Sequence, residues 1–330
     1  MRRAALAAAL LFQCMQAAWS ADAPESSRPS RVSGLGQFAD IEEGVRGAAV
    51  EALATTDTDH FRSTRLRAGV LADYKTAYDF VAVGAGYTRY EQGDFAVDRY
   101  SLGAAVKKVE RATGAGLVAS GGLSGVGDHL RAFLDATWNK RLSQATGIEL
   151  IGQREFVETR PALEAGTMTN FAAASVDHAA TDRLTLIGLG GLQYFSDDNR
   201  RYHLRGRVIY VLVPEQGLSA QLRARGYETS RPGGTLYFNP ESYAQADIGL
   251  RLRRAFGAWR VLAAVGVGRE NVDWSNETPT RYLDARLERS FANNLALSLQ
   301  YVVDHSASSD SATSGNYTWH YFRAVVVIPL

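Results

Sequence analysis

From Leu218 to Arg253 the chain alternates. Leu218, Ala220, Leu222 and Ala224 share one parity, and Gln221, Arg223, Arg225 and Tyr227 share the other. The pattern returns in Ala244, Ala246, Ile248, Leu250 and Leu252 against Gln245, Asp247, Arg251 and Arg253. A period of two means β-strand, because successive side chains leave opposite faces of the pleat. Each arm runs about ten residues, enough to cross a bilayer when tilted. One face is small and aliphatic, and the other carries paired arginines. Between the arms, Arg231 to Glu241 has no strand period and reads as a loop. The stretch is therefore a hairpin with one greasy and one cationic face.

The rest of the chain repeats it. From about Gly47 to the C-terminus there are about sixteen alternating segments, as in an outer-membrane barrel. Leu66, Ala68, Val70 and Ala72 oppose Arg65, Arg67 and Asp73, while Leu204, Val208, Tyr210 and Leu212 oppose His203, Arg205 and Arg207. Leu283, Ala285 and Leu287 oppose Asp284, Arg286 and Glu288. Connections alternate between tight turns, such as Pro214 to Gly217, Ala255 to Ala258 and Ala292 to Asn294, and longer polar loops at Glu228–Tyr243, Val272–Thr280 and His305–Asn316. A soluble sandwich needs neither that asymmetry nor strands about twice the usual five or six residues. Hydrocarbon cannot satisfy a free sheet edge, so a spanning sheet closes on itself. The expected fold is an all-β transmembrane antiparallel barrel of about sixteen strands with both termini at the periplasmic end. Tyr210, Trp138, Trp259 and Phe291 suit aromatic girdles near strand ends.

The N-terminus sets the address. Met1-Arg2-Arg3, an apolar run from Ala4 to Ala18 and the small residues up to Ala23 describe a cleaved signal peptide, cut after Ser20 or Ala23. The expected organisation is a signal peptide over 1–23, a Pro/Ser-rich periplasmic lead or plug over 24–45, and the barrel over 46–330, placed in the cell outer membrane. Cys14, the one cysteine, falls in the discarded segment, so an exported chain uses no disulfides. A net charge of +1 argues against a general nucleic-acid binder. The expected partners are outer-membrane lipid and a polysaccharide or small solutes.

The polar face holds the candidate chemistry. Arg205, Arg207, Arg223, Arg225, Arg251, Arg253 and Arg286 face the lumen with Asp247, Asp284 and Glu288. They can form ion-pair ladders that stiffen a water-filled wall. They can also offer donors to sugar hydroxyls or acidic sugars, since the planar arginine fork suits carboxylates. Both readings can hold together.

A family resemblance sits in the loop. Tyr237-Phe238-Asn239-Pro240-Glu241-Ser242-Tyr243, followed by a strand, resembles the Tyr-(Phe/Tyr)-Ser-Pro segment of exopolysaccharide export porins, the C-terminal barrels of cellulose and poly-N-acetylglucosamine secretion proteins. Asn239 stands where those families usually have serine. The resemblance implies polymer export through the pore, with Tyr237, Phe238, Asn239, Pro240 and Tyr243 as the loop motif. It also implies a separate periplasmic scaffold protein in place of the helical repeats that precede the barrel in those proteins. The same aromatics would equally serve to pack the loop into the barrel mouth.

Three other functions are compatible with the same pattern. One is a general or sugar-selective diffusion porin. Another is a lipid-modifying enzyme, for which Asp304-His305-Ser306 is the nearest catalytic arrangement. Neighbours in a strand point to opposite faces, so His305 and Ser306 are poorly placed to bond each other, and a surface loop is expected there. The last is an adhesive barrel with a plugged lumen. No catalytic group, metal or cofactor is expected.

Overall fold

The computed structural model describes residues 46–330 apart from 77–78, 111–112, 275–276, 292–294 and 308–315. The signal peptide and lead expected before residue 46, the turn at 292–294 and most of the His305–Asn316 connection lie outside the described residues.

Sixteen strands form one closed antiparallel barrel. The first eight are β1 (Gly47–Asp57), β2 (Arg62–Thr76), β3 (Asp79–Gln92), β4 (Phe95–Val109), β5 (Gly116–Val126), β6 (His129–Arg141), β7 (Thr146–Phe156) and β8 (Met168–Ala179). The second eight are β9 (Leu184–Phe195), β10 (Arg200–Val213), β11 (Leu218–Thr229), β12 (Ser242–Phe256), β13 (Trp259–Val272), β14 (Thr278–Ser290), β15 (Ala296–Ala307) and β16 (Asn316–Pro329). Each strand pairs with its sequence neighbours. The ring closes where β1 meets β16 in unbroken register from Gly47 opposite Pro329 to Asp57 opposite Trp319. Closure removes the two edges that an apolar solvent could not satisfy.

Sidedness follows from parity. Leu66, Val70, Val83, Leu204, Leu222, Ile248, Val265 and Val267 stand exposed on the outside as an aliphatic surface suited to lipid. Trp138 and Tyr210 also point outward near the terminal end. Arg289 lies over the Trp259 and Phe291 rings, 4.7 and 4.5 Å from their centroids. Strands of eleven to fifteen residues are long enough for a tilted crossing. No helix among the described residues is long and apolar enough to cross a membrane.

The expected turn at Pro214 to Gly217 is a single 3-10 turn ending on Gly217 at φ 68°. A Cβ there would lie 1.8 Å from the Arg253 carbonyl oxygen, so the position needs glycine. The expected loops Glu228–Tyr243 and Val272–Thr280 are shorter, since β11 runs to Thr229, β12 starts at Ser242 and β14 at Thr278. Two further boundaries differ from the sequence reading. β12 runs on to Phe256, which leaves only Gly257 and Ala258 in the turn before Trp259. Asp304-His305-Ser306, expected in a surface loop, belongs to β15 and pairs with β16 as far as Ala307 opposite Asn316. A polar triplet can continue a strand here because its backbone groups are satisfied by β16 whatever its side chains are.

Candidate functional site: the arginine wall and the bridged mouth

Alternation turns the odd-numbered side chains of β10, β11 and β12 inward. Inward Arg201, Arg205, Arg207, Gln221, Gln245, Asp247 and Arg251 are all buried. Register sets Arg205 directly opposite Arg225, and Arg207 opposite Arg223. Arg223 then faces Asp247, and Arg225 faces Gln245. Asp247 is the single inward acid on these three strands among the described residues. It accepts hydrogen bonds from Arg223 Nη2 at 3.2 Å, Gln245 Nε2 at 2.9 Å and Thr280 Oγ1 at 2.7 Å. Arg253 continues the inward row toward the terminal end, on the parity of Arg251.

β14 behaves differently. Arg286 lies 3.7 Å from Glu288, which also accepts Arg260 Nη1 at 2.9 Å. Asp284 accepts Gln300 Nε2 at 3.2 Å. These charges form the neutralising ladder that one sequence reading anticipated, whereas β10 to β12 carry a guanidinium surplus.

The two walls enclose a cavity lined by Gln221, Arg223, Arg251, Leu262, Ala263, Ala264, Tyr282, Asp284 and Arg286. Tyr282 fits there because of glycine. A Cβ on Gly266 would lie 2.2 Å from the Tyr282 ring, and one on Gly249 would lie 2.5 Å from its hydroxyl. Without Cβ atoms the ring lies against the wall. Gln221 Nε2 donates to its hydroxyl at 2.7 Å, and Arg223 Cζ sits 3.5 Å from its centroid. Alternation puts Tyr282 and Gln221 on the polar face, but neither is among the pore-lining residues expected from the sequence. The glycines at 249 and 266, opposite one another in register, are the signal that an aromatic ring covers that spot.

The mouth at the end away from the termini is crossed by two connections. The segment 230–241 folds inward around Asn199. The Asn199 side-chain oxygen accepts the amides of Arg200 at 2.9 Å and Arg231 at 3.0 Å, and the Ser230 hydroxyl at 3.2 Å. Its Nδ2 donates to Asn239 Oδ1 at 2.8 Å and to the Tyr237 hydroxyl at 3.1 Å. Tyr237 stacks on Phe195 with centroids 4.2 Å apart, and Phe238 meets Tyr243 edge-on at 6.4 Å. Arg201 donates to the Phe238 carbonyl and lies within 4.9 to 5.3 Å of the Phe195, Tyr227 and Tyr237 centroids. Tyr237, Phe238, Asn239, Pro240 and Tyr243 are all buried. Burial pushes the Tyr237 phenol above its ordinary value. These aromatics pack the loop into the mouth, as one reading of the motif had it.

The segment 157–167 is the second crossing, and sequence reading missed it. It contains one short helix, α1 (Arg160–Glu164), capped by Thr159, whose side chain accepts the Ala162 amide. Thr159 followed by Arg160-Pro161 was the available signal. Leu163 joins a buried cluster with Met168 of β8 and Tyr317, Trp319 and Tyr321 of β16. β8 and β16 lie on opposite sides of the ring, so this cluster spans the lumen. Glu158 fastens the segment to the wall. Its Oε1 accepts Arg65 Nη2 at 2.7 Å, the Tyr90 hydroxyl at 2.7 Å and Arg99 Nη1 at 3.4 Å. Arg99 also pairs with Glu155 at 2.9 Å. The crossings touch where the Thr159 hydroxyl donates to the Leu236 carbonyl. On the β5–β6 side, inward Val118, Arg131 and Asp135 stay exposed.

Asp304, His305 and Ser306 are not brought together as a catalytic group. Asp304 is turned into the lumen, and the neighbouring His305 places its Nδ1 2.8 Å from Thr318 Oγ1.

A closed sixteen-strand barrel with an aliphatic outside and a polar inside is a barrel of the outer-membrane type. One solved structure agrees in fold, and others are similar at lower scores. A bacterial polysaccharide outer membrane secretin matches with a TM-score of 0.62 at 13% identity, covering 86% of this chain and 98% of its own. OccAB1 of Acinetobacter baumannii matches at 0.46 and 10% identity, covering 90% of this chain and 99% of its own. OprD of Pseudomonas aeruginosa matches at 0.44 and 9% identity, covering 91% and 98%. No protein-family model matches the chain, and a search of curated proteins returns no match.

Proposed function

We propose that the chain is a conduit that carries an exopolysaccharide across the outer membrane without doing chemistry on it. The observation that carries this reading is the guanidinium-rich inner wall of β10 to β12 lying behind a mouth bridged by 157–167 and 230–241. A wall of donors suits a cargo rich in oxygen acceptors. A bridged mouth suits a channel that opens for a long polymer and stays shut to small solutes. Likeness in fold to a polysaccharide secretin supports the same reading. A separate periplasmic scaffold would deliver the polymer, and outer-membrane lipid would surround the barrel. A sugar-selective or general diffusion porin is the second reading. The exposed inward Val118, Arg131 and Asp135 favour it, because they mark water-accessible lumen beside the bridge.

Single-channel recording separates the two. The purified chain refolded in a planar bilayer is expected to show low, intermittent conductance. Replacing 158–166 with a short Gly-Ser link should give a steady conductance several-fold larger. Equal, steady conductance from both forms would favour the diffusion porin, and silence from two correctly folded forms would remove the conduit.

A further inference from the structure

We propose that the segment 230–241 is a lid over a saccharide subsite at the mouth, and that its own residues occupy the subsite in the way a sugar chain would. This rests on the conduit reading and places the contact that the cargo makes on leaving. The segment is a closed unit. Across its neck the Thr229 amide donates to the Glu241 carbonyl at 2.9 Å. Within it the Gly233 amide donates to the Asn239 carbonyl at 2.9 Å, and Asn239 Nδ2 donates to the Arg231 carbonyl at 2.7 Å. A compact loop with its ends joined moves as one piece.

Beneath the lid lie Phe195 of β9, Arg201 of β10, and Tyr227 and Thr229 of β11. Arg201 stands directly opposite Thr229 in register, and its Cζ is 4.9 Å from the Tyr227 centroid. Three buried polar atoms here make no hydrogen bond: Arg201 Nε, the Tyr227 hydroxyl and the Thr229 hydroxyl. Buried polar groups are almost always paired, so three unpaired atoms in one place weaken the closed state. On the segment 157–167 no buried side-chain polar atom among the described residues goes unpaired. The lid supplies a copy of a ligand instead. The Phe238 carbonyl and Asn239 Oδ1, the latter at 3.4 Å, accept from Arg201 Nη2. The Tyr237 ring covers Phe195 with 13° between their planes. A sugar offers the same two things, oxygen acceptors and an apolar ring face for an aromatic to pack on. It adds hydroxyls, which both donate and accept and so can pair the three atoms that the lid leaves unpaired. A ligand that binds only the open form draws the lid toward that form.

The test is chymotrypsin cleavage after Tyr237 and Phe238 in the purified full chain folded in detergent micelles, with the fragments identified by mass. The probes are cellotetraose, maltotetraose and chitotetraose, with polyethylene glycol of the same mass as the control. At least one tetrasaccharide should raise the cleavage rate about tenfold, the gain in open form at about ten times the dissociation constant of that form. Tyr227→Phe and Thr229→Val keep the shape and each remove a hydroxyl that the closed lid leaves unpaired. Each should lower cleavage without sugar and cut the sugar response about threefold, the worth of one modest hydrogen bond. Mere damage to the wall would raise cleavage instead. Cleavage indifferent to all three sugars, raised equally by polyethylene glycol, or answering sugar unchanged in both variants would overturn the subsite. If the 158–166 replacement form then still conducts, the conduit stands without it. Silence of that form as a folded, heat-modifiable barrel would overturn the conduit, and the cleavage result would still decide the lid.

Discussion

At the scale of the residue, Glu158 does the most for the closed mouth. One carboxylate oxygen accepts from Arg65, Tyr90 and Arg99, which belong to β2, β3 and β4. Removing one partner of such a half-buried set leaves the arginines without their counter-charge, a cost of about 3 kcal/mol when a buried pair is broken. Glu158→Ala is therefore expected to lower the urea midpoint of the barrel in lipid vesicles and to raise the frequency of channel openings. An unchanged midpoint together with unchanged gating would mean that the hydrophobic cluster around Leu163 holds the segment unaided. Gly266 presents the opposite kind of constraint, an atom that has to be missing. Gly266→Ala would push the Tyr282 ring off the wall, since overpacking costs about 1–3 kcal/mol. Pairing it with Tyr282→Ala should restore much of that loss in the same urea titration. If the two losses simply add, the ring does not depend on the glycine.

At the scale of the element, strands and crossings were unequally legible in the sequence. Alternation gave the count of about sixteen strands and placed arms such as those in β2, β10, β11, β12 and β14, because an apolar side and a polar side impose a period of two on a spanning strand. The inward parity of Arg205, Arg223 and Arg251 came from the same signal. The crossings obey no such period. Glu158 meets Arg65, Tyr90 and Arg99 only because the ring closes and 157–167 folds back into it, a relation between residues far apart in the chain. The aromatic loop was visible as a composition, yet its anchor, Asn199, sits in the preceding connection. Asn199 bonds Arg200, Ser230, Arg231, Tyr237 and Asn239. Asn199→Ala should release 230–241 as a unit, because each lost partner leaves a buried donor or acceptor unsatisfied. Tyr237 and Phe238, buried in the native chain, would then become open to chymotrypsin. A cleavage rate unchanged from the native chain would place the anchor elsewhere, in the Phe195–Tyr237 stack.

At the scale of the whole molecule, the barrel is uneven around its ring. On β14 Asp284, Arg286 and Glu288 alternate in charge, and Glu288 also takes Arg260 of β13, whereas β10 to β12 set arginine against arginine. β7 and β8 carry the crossing that reaches β16 on the far side. The asymmetry gives the molecule a guanidinium-rich wall on β10 to β12 and a mouth bridged by 157–167 and 230–241. Its outside offers aliphatic side chains from every quarter of the ring, so one closed sheet separates the charged wall from an apolar surface suited to lipid.

The most direct measurement is the reversal potential of the 158–166 replacement form in a planar bilayer under a potassium chloride gradient. A lumen walled by the β10–β12 arginines should prefer chloride over potassium, with the preference reduced in Arg223→Gln/Arg251→Gln and diminished at high salt as the wall is screened. A reversal potential on the potassium side, unmoved by those substitutions, would contradict an arginine-walled passage.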